Sequence, residues 1–304
     1  MHPARPYHSI VLVKQVPDTR NVTGEVMTKD GTMNRSALPA IFNPEDLNAL
    51  EMALDFKDRH GGTVTVISMG PLQAAEVLRA SLCRGADRVI LLSDRKFAGA
   101  DTQATSYTLK CAIDKVGQYD MVFCGRQAID GDTAQVGPQV AEKLGIPQIT
   151  YAESIIEAKE AGIVVQRAFD LGTELVKCTL PCLLTVVGSA NQPRPASARK
   201  RIEYKLAAIP AEYSKLLQKW PEFGNEAALE SYLAERNLKI TVWSAADLNV
   251  EEAQLGLAGS PTQVHKVSYV VLETTESKDI PATPEGVQAL IQEFRKGGWL
   301  NPWF

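Results

Sequence analysis

Between Ser9 and Gly145 the chain repeats one pattern four times: a short, unbroken apolar run, then a stretch with helical spacing. The runs are "SIVLVKQV" (9–16), "TVTVISMG" (63–70), "DRVILLS" (87–93) and "DMVFCG" (120–125). Their partners are "NPEDLNALEMALDFKDRH", "PLQAAEVLRASLCRG", "DTQATSYTLKCAIDKVG" and "PQVAEKLG". Apolar runs that do not alternate with polar residues must be covered on both faces. Strands of that kind, separated by helices, predict an α/β fold with a parallel sheet. The first helix start is well signalled: Asn43 to cap, Pro44 at the first helical position, and Glu45 and Asp46 against the positive helix end. Pro138 is expected in the first turn of the last helix, because an interior proline would break it.

From residue 146 the pattern changes. "GIVVQRAFD", "TELVKCTL" and "PCLLTVVGS" are β-rich and separated by turn signals, which predicts an antiparallel excursion over about 146–190. The basic stretch "NQPRPASARKRIEYK" follows, carrying Arg194, Arg199, Lys200, Arg201 and Lys205 against Glu203. A main domain is therefore expected over 1–205. Residues 206–304 are expected to be an insertion (about 208–240) plus an extended C-terminal arm. Trp220, Trp243, Trp299 and Trp303 are expected to anchor that region on another surface, most simply a partner chain.

Composition narrows the function. A net charge of −4 over 304 residues argues against nucleic acid as the main partner. No run approaches the ~20 apolar residues of a membrane span. The start "MHPARPYHS" lacks a secretory apolar core. A cytoplasmic location is expected, with any membrane association made through partners. Five cysteines without a CxxC pair are expected to be reduced core thiols. Cys178 and Cys182, if on one strand, would share a face. The four histidines form no ligand pattern and no metal is expected. Asp18, Asp94, Asp101, Asp130 and Asp132 match no calcium loop. His60 and His265 have no evident catalytic partner, so no hydrolase constellation is expected.

The chemistry is expected at the strand ends, where parallel sheets bind ligands. "GRQAIDGDTAQVG" (125–137) leaves the fourth strand and enters a helix. Gly125 ends the strand and Gly131 is expected to let the backbone turn. The amides of about 132–137 at the helix start suit a phosphate, and Asp132 and Thr133 are able to cap. On pattern alone, a phosphate cradle and an unliganded capped helix both remain open, since neither a Walker loop nor GxGxxG is present. "KQVPD" (14–18), "SMGP" (68–71) and "DRKFAGADTQATS" (94–106), with hydroxyls at Thr102, Thr105 and Ser106, complete a possible nucleotide cleft.

These stretches, with "VLVKQVPD", "LPCLLTVVGSANQPR" and "GLAGSPT", resemble the beta subunit of electron transfer flavoprotein over nearly all of 9–200 and again near 255–262. The resemblance implies an adenine-nucleotide-binding, Rossmann-like fold, an alpha-subunit partner holding an electron-carrying FAD, and a nucleotide in this chain. In ordinary members that nucleotide is structural AMP. In bifurcating members it is a second FAD that takes a hydride from NADH. The electrons then divide between a low-potential acceptor and, through the alpha-subunit FAD, a dehydrogenase or quinone-linked partner. Carried over, the adenine and ribose contacts fall at Leu12, Asn43 and Met69. The phosphate contacts fall at Asp130, Gly131, Asp132, Thr133, Ala134, Gln135 and Val136. Lys14, Thr102, Thr105, Gly125, Arg126 and Gln127 complete the expected site. AMP-type members tend to carry an acidic residue where this chain has Gly131, so the bifurcating group is the closer match. Arg126 is then a candidate cation beside the second flavin, against a surface or subunit-contact role. No side chain is expected to do bond chemistry itself. Where the family's docking loop presents a leucine to acyl-CoA dehydrogenases, this chain has Ala198. Docking near 191–203, through Arg194, Ala198, Arg199, Lys200 and Arg201, is therefore expected to meet a different, acidic oxidoreductase. A universal-stress-type nucleotide sensor shares the general fold but leaves the arm unexplained.

Overall fold

A computed structural model describes residues 6–18, 39–159, 161–262 and 278–299. His265 and Trp303 lie outside the described residues. Residues 1–266 and 267–304 form two compact units.

The first unit begins with β1 (His8–Val13), followed by the small antiparallel pair β2 (Gln15–Pro17) and β3 (Ala40–Phe42). Then come α1 (Pro44–His60), β4 (Thr63–Met69), α2 (Ala75–Leu82), β5 (Arg88–Leu92), α3 (Thr102–Val116), β6 (Met121–Gly125) and α4 (Val136–Leu144). Each apolar run of the expected alternation is a strand, and each is buried along nearly its whole length because helices cover both faces. Helix α1 starts at Pro44 with Glu45 and Asp46 in its first turn and ends with Lys57, Arg59 and His60, an arrangement that complements the helix dipole at both ends. Asp101 caps α3 through bonds from the Gln103 and Ala104 amides.

Beyond α4 lie β7 (Gln148–Lys159), β8 (Gly162–Phe169), β9 (Gly172–Thr179) and β10 (Cys182–Val186). They do not form a sheet apart. With β11 (Thr241–Trp243), the strands build one nine-stranded sheet in the order β11-β5-β4-β1-β6-β10-β7-β8-β9. All pairs from β11 to β7 are parallel, and only β7–β8 and β8–β9 are antiparallel. The expected excursion is thus corrected in two ways. The "PCLLTVV" run is a central parallel strand, slotted between β6 and β7, which explains its complete burial. Strand β7 carries no turn signals and alternates only loosely, so its pattern did not declare it. Cys178 and Cys182 sit on different strands, β9 and β10, on either side of a turn. All five cysteines are free and buried.

Helices α1 and α2 cover one face of the sheet, where Leu50, Leu54, Phe56 and Leu78 pack on Val11, Val66 and Phe123. Helices α3 and α4 cover the other, where Leu109, Ile113 and Val140 pack on Ile10, Ile67 and Ile90. Each fully buried Leu, Ile or Phe contributes about 1.5–3 kcal/mol of burial free energy.

The segment after 205 differs from the expected arm. Helix α5 (Ala198–Tyr204) sets Tyr204 on the α1–α2 side of the core, and beyond 205 α6 (Tyr213–Lys219) and α7 (Glu226–Glu235) add Tyr213, Leu229 and Leu233 to it. Trp220 packs against that same cluster. Trp243, at the end of β11, is 8% exposed and belongs to the opposite cluster. These two tryptophans anchor on their own unit, because β11 adds to the free edge of β5 and draws the chain back onto the sheet. In the second unit, α8 (Pro284–Lys296) is capped by Thr283, Lys278 pairs with Glu293, and the Phe294 and Trp299 rings lie 5.6 Å apart. No helix among the described residues is long and apolar enough to cross a membrane.

Candidate functional site

The sheet reverses its winding between β1 and β6. Strands β4 and β5 follow β1 to one side, and β6 returns on the other. The helices change faces at the same point, as the two core clusters show. Sheets wound this way accept ligands in the crevice beyond the carboxyl ends of the strands that flank the switch, here β1 and β6. Lys14 and Gly125 are its two rims.

A buried carboxylate joins the rims. Asp46 accepts the Lys14 amide at 2.9 Å with Oδ2 and the Gly125 amide at 2.9 Å with Oδ1. Burial raises its pKa to about 7, and the two amides and the Lys14 charge pull the other way. The same burial pushes the neighbouring Cys124 thiol up. Gly125 is needed for this close approach: an added Cβ would lie 2.6 Å from Asp46 Oδ1 and 2.7 Å from the Asp46 nitrogen. Gly137 plays the same part at the start of α4, where a Cβ would lie 2.8 Å from both Cys124 Sγ and Thr185 Cγ2.

The loop between these glycines is shaped by the start of α1. Asn43 is fully buried but makes no side-chain cap. Its Nδ2 donates to the Gln127 carbonyl at 2.9 Å, and its Oδ1 accepts the Ile129 amide at 3.1 Å. Glu45 accepts the Gln127 amide at 2.9 Å and pairs with Arg126 at 3.0 Å. Lys14 Nζ reaches Asp130 at 2.7 Å. The motif "NPED" is therefore a template for residues 125–130 more than a capping signal. The sequence pattern points to the commoner local use of Asn, since a contact 84 residues away has no local signature.

Two further expectations change. Gly131 is not in the left-handed region; Asp132 (φ 49°) and Ala134 (φ 53°) make the turn instead. An added Cβ at Gly131 meets nothing within 4 Å. Neither Asp132 nor Thr133 caps α4. The cap position is Gln135, without a side-chain bond, while Asp132 accepts from Gln127 Nε2 at 2.9 Å. Asp132 donates its amide to Ala128, closing a turn. Among the described residues, the amides of 133–137 find no protein acceptor. Unpaired donors at a helix start fit an anion such as a phosphate. The residues present thus fit a nucleotide: free amides, open space at Gly131, and a cation at Lys14.

Around this loop, Leu12 is the next-to-last residue of β1 and Met69 the last of β4. Ser68, beside Met69, keeps a buried hydroxyl without a partner among the described residues. Thr102, first in α3, donates to Gln135 Oε1 at 3.0 Å and accepts from Gln139 at 3.3 Å, tying α3 to the start of α4. Thr105 lies half-buried one turn on, its amide bonded to the Asp101 carbonyl at 2.9 Å. The late motif "GLAGSPT" serves the same region. Ser260 accepts the Asp101 amide at 2.8 Å, and Thr262 donates to Asp101 Oδ2 at 2.7 Å, holding the cap of α3.

The basic stretch is split by the fold. Arg194 is spent on α1, pairing with Glu51 at 2.9 Å and Asp58 at 2.8 Å. Ala198, Arg199 and Arg201 are exposed on α5, Lys200 is half-buried, and Ile202 is 69% exposed.

Fold and crevice together define a doubly wound α/β protein of the Rossmann-like class. The model of the electron transfer flavoprotein domain matches residues 30–211. The electron transfer flavoprotein subunit beta of Thermoanaerobacterium thermosaccharolyticum is 43% identical over 93% of this chain and 96% of its own. Caffeyl-CoA reductase-Etf complex subunit CarD of Acetobacterium woodii is 44% identical over 84% of this chain and 86% of its own. Protein FixA of Azorhizobium caulinodans is 40% identical over 86% and 83%. The chain belongs to the electron transfer flavoprotein family, as a beta subunit, and membership implies an alpha-subunit partner.

Proposed function

We propose that this chain is the beta subunit of an electron-bifurcating electron transfer flavoprotein and binds an FAD of its own in the crevice between β1 and β6. The observation that carries this is the open space at Gly131, where an added Cβ meets nothing within 4 Å, beside amides without protein acceptors. A diphosphate has room there. An acidic side chain in the same place would fill the space and repel it.

When bound, the flavin supplies hydride acceptance from NADH and onward single-electron transfer. The protein supplies placement. The amides of 133–137 and the positive end of α4 neutralise the diphosphate. Lys14 adds a cation by trading its Asp130 partner for phosphate. Leu12 and Met69 lie at the adenosine end, with Thr102 and Thr105 beside it, and Asn43 acts from beneath by holding the loop at Gln127 and Ile129. Arg126 is already paired with Glu45, which raises its pKa further, so its charge is compensated in part and its pull on a flavin is weaker than a lone cation's.

The alpha subunit has a suitable surface in the β8–β9 hairpin, where Leu171 is 93% and Leu175 65% exposed. A dehydrogenase or other oxidoreductase with an acidic face docks near 191–203 through Arg199, Lys200 and Arg201 on α5. Similarity to a subunit of a caffeyl-CoA reductase-Etf complex supports such a larger assembly. The 267–304 unit contributes to partner wrapping, and the complex is cytoplasmic.

The test is the nucleotide content of the complex co-expressed with its alpha subunit, released by denaturation and separated by chromatography. Two FAD per heterodimer and no AMP is the expected result. One FAD and one AMP would overturn the assignment and make this chain a scaffold for single-electron transfer.

A further inference from the structure

Four non-glycine residues among those described have positive φ: Asp132, Ala134, Tyr151 and Asn237. Asn tolerates that conformation, and Asp132 and Ala134 shape the loop just described. Tyr151 (φ 58°) remains to be explained. A bulky residue held there is strained, and strain of this kind gathers at functional sites.

Its local cause is a bulge in β7. The pairing of β7 with β10 runs Gln148↔Leu183 and Ile149↔Leu184, then resumes at Ala152↔Val186, so β7 carries an extra residue. The Tyr151 amide bonds the Thr185 hydroxyl at 3.2 Å in place of a ladder carbonyl. Bulges next to active sites re-aim a side chain. Here the ring leaves the core, is 40% exposed, and lies with its centre 5.8 Å from the Arg126 guanidinium carbon. Arg126 in turn is fixed by Glu45 at 3.0 Å and by its own amide on the Val186 carbonyl at 2.9 Å. Three elements, α1, the end of β6 and β7, thus converge on one cation at the carboxyl edge of the sheet.

The core does not use the ring. It belongs to neither core cluster, and Arg126 has a carboxylate partner without it. Its place in the sheet order is informative. A ligand lying from the ends of β4 and β1 across the β6 loop next meets Arg126, and Tyr151 two strands further on. Resting on the FAD assignment above, we propose that Tyr151 is a specificity residue of this site. Its ring, with Arg126 fixed between it and Glu45, receives the planar end of the dinucleotide beyond the diphosphate. The site thereby prefers FAD over the ADP fragment.

The test uses the heterodimer, freed of the nucleotide of this chain and dialysed against equal FAD and ADP, with retained nucleotides counted after denaturation. In wild type, FAD is expected in excess of the one held by the alpha subunit. Tyr151→Phe is expected to keep that ratio. Tyr151→Asn, which accepts the positive φ, is expected to shift the ratio towards ADP by about tenfold, as loss of one stacking contact would. Its thermal midpoint is expected to be no lower than that of wild type, because the strain is relieved. An unchanged ratio in Tyr151→Asn, or equal loss of FAD and ADP, overturns the role of Tyr151 and leaves the FAD assignment standing. Should Tyr151→Asn not assemble, Tyr151→Gly is read by the same ratio. Wild type that retains ADP in preference to a second FAD overturns the assignment itself, and the role of Tyr151 with it.

Discussion

Asp46 Oδ1 accepts the Gly125 amide at 2.9 Å, and a Cβ on Gly125 would stand 2.6 Å from that same oxygen. The bond and the absence of a side chain are one requirement: β6 must come within reach of the start of α1. Neither side is able to give way. Strand β6 is paired on both edges, and Asp46 is held by Lys14 as well. Gly125→Ala is therefore expected to cost about 3 kcal/mol, at the upper end for overpacking. Denaturant unfolding of the complex measures this, and a loss under about 1 kcal/mol would mean that the rims of the crevice yield.

Asp46 also links the crevice to pH. Its carboxyl moves from 3.8 in the unfolded chain to about 7 in the fold, chiefly through burial. A raised carboxyl pKa means that folding takes up a proton. The stabilising effect is complete below about pH 4 and lost as pH rises through about 7. At 1.36 kcal/mol per unit, the contribution is at most about 4 kcal/mol. Asp46→Asn removes the titration. The stability of wild type relative to this variant is expected to decline from pH 4 to pH 7 and to level off above about 8. Isothermal denaturation across that range checks the slope; a flat difference would mean that Asp46 is charged throughout.

Lys14 separates stability from binding. Its ammonium bonds Asp130 at 2.7 Å, but its side chain is 45% exposed, so the pair adds under about 1 kcal/mol. Lys14→Met is expected to leave the unfolding midpoint nearly unchanged. Nucleotide affinity is expected to fall about tenfold, equal to 1.4 kcal/mol, with a shallower dependence on salt. Titration calorimetry at two ionic strengths reads both. Equal affinity in the variant would remove Lys14 from the site.

What the sequence made legible was whatever is decided within one turn or one strand. The apolar runs of β1, β4, β5 and β6 and Pro44 at the start of α1 carry their cause in neighbouring residues. Illegible were the features decided at a distance. Asn43 looks like a cap until Gln127 and Ile129 claim its side chain. Strand β11 is three residues long and exists because β5 has a free edge. Gly131 looked like the turning residue, but the turn falls on Asp132 and Ala134, held by the Gln127 contact and the Ala128 carbonyl. Tyr151 gives no local sign at all, because the bulge that turns it out depends on where β10 inserts.

Besides its apolar packing and β11, the segment after 205 is tied to α2 by a largely buried arginine. Arg79, 16% exposed on α2, donates to the Ala207 carbonyl at 2.7 Å and also pairs with Glu76 and Glu212. Glu212 in turn accepts the Ile209 amide at 3.0 Å, and Ala208 exchanges bonds with Leu238 and Ile240. Arg79→Ala removes the donor to the Ala207 carbonyl and the cation beside Glu76 and Glu212, and is expected to cost about 1–2 kcal/mol. The loss is expected to be local, since the core behind β1 and β6 does not pass through this arginine. Hydrogen exchange is expected to quicken over 206–240 while β1, β4 and β6 keep their protection and the nucleotide content stays as in wild type. Faster exchange throughout the sheet would instead mean that this segment is part of the cooperative core and not a layer laid upon it.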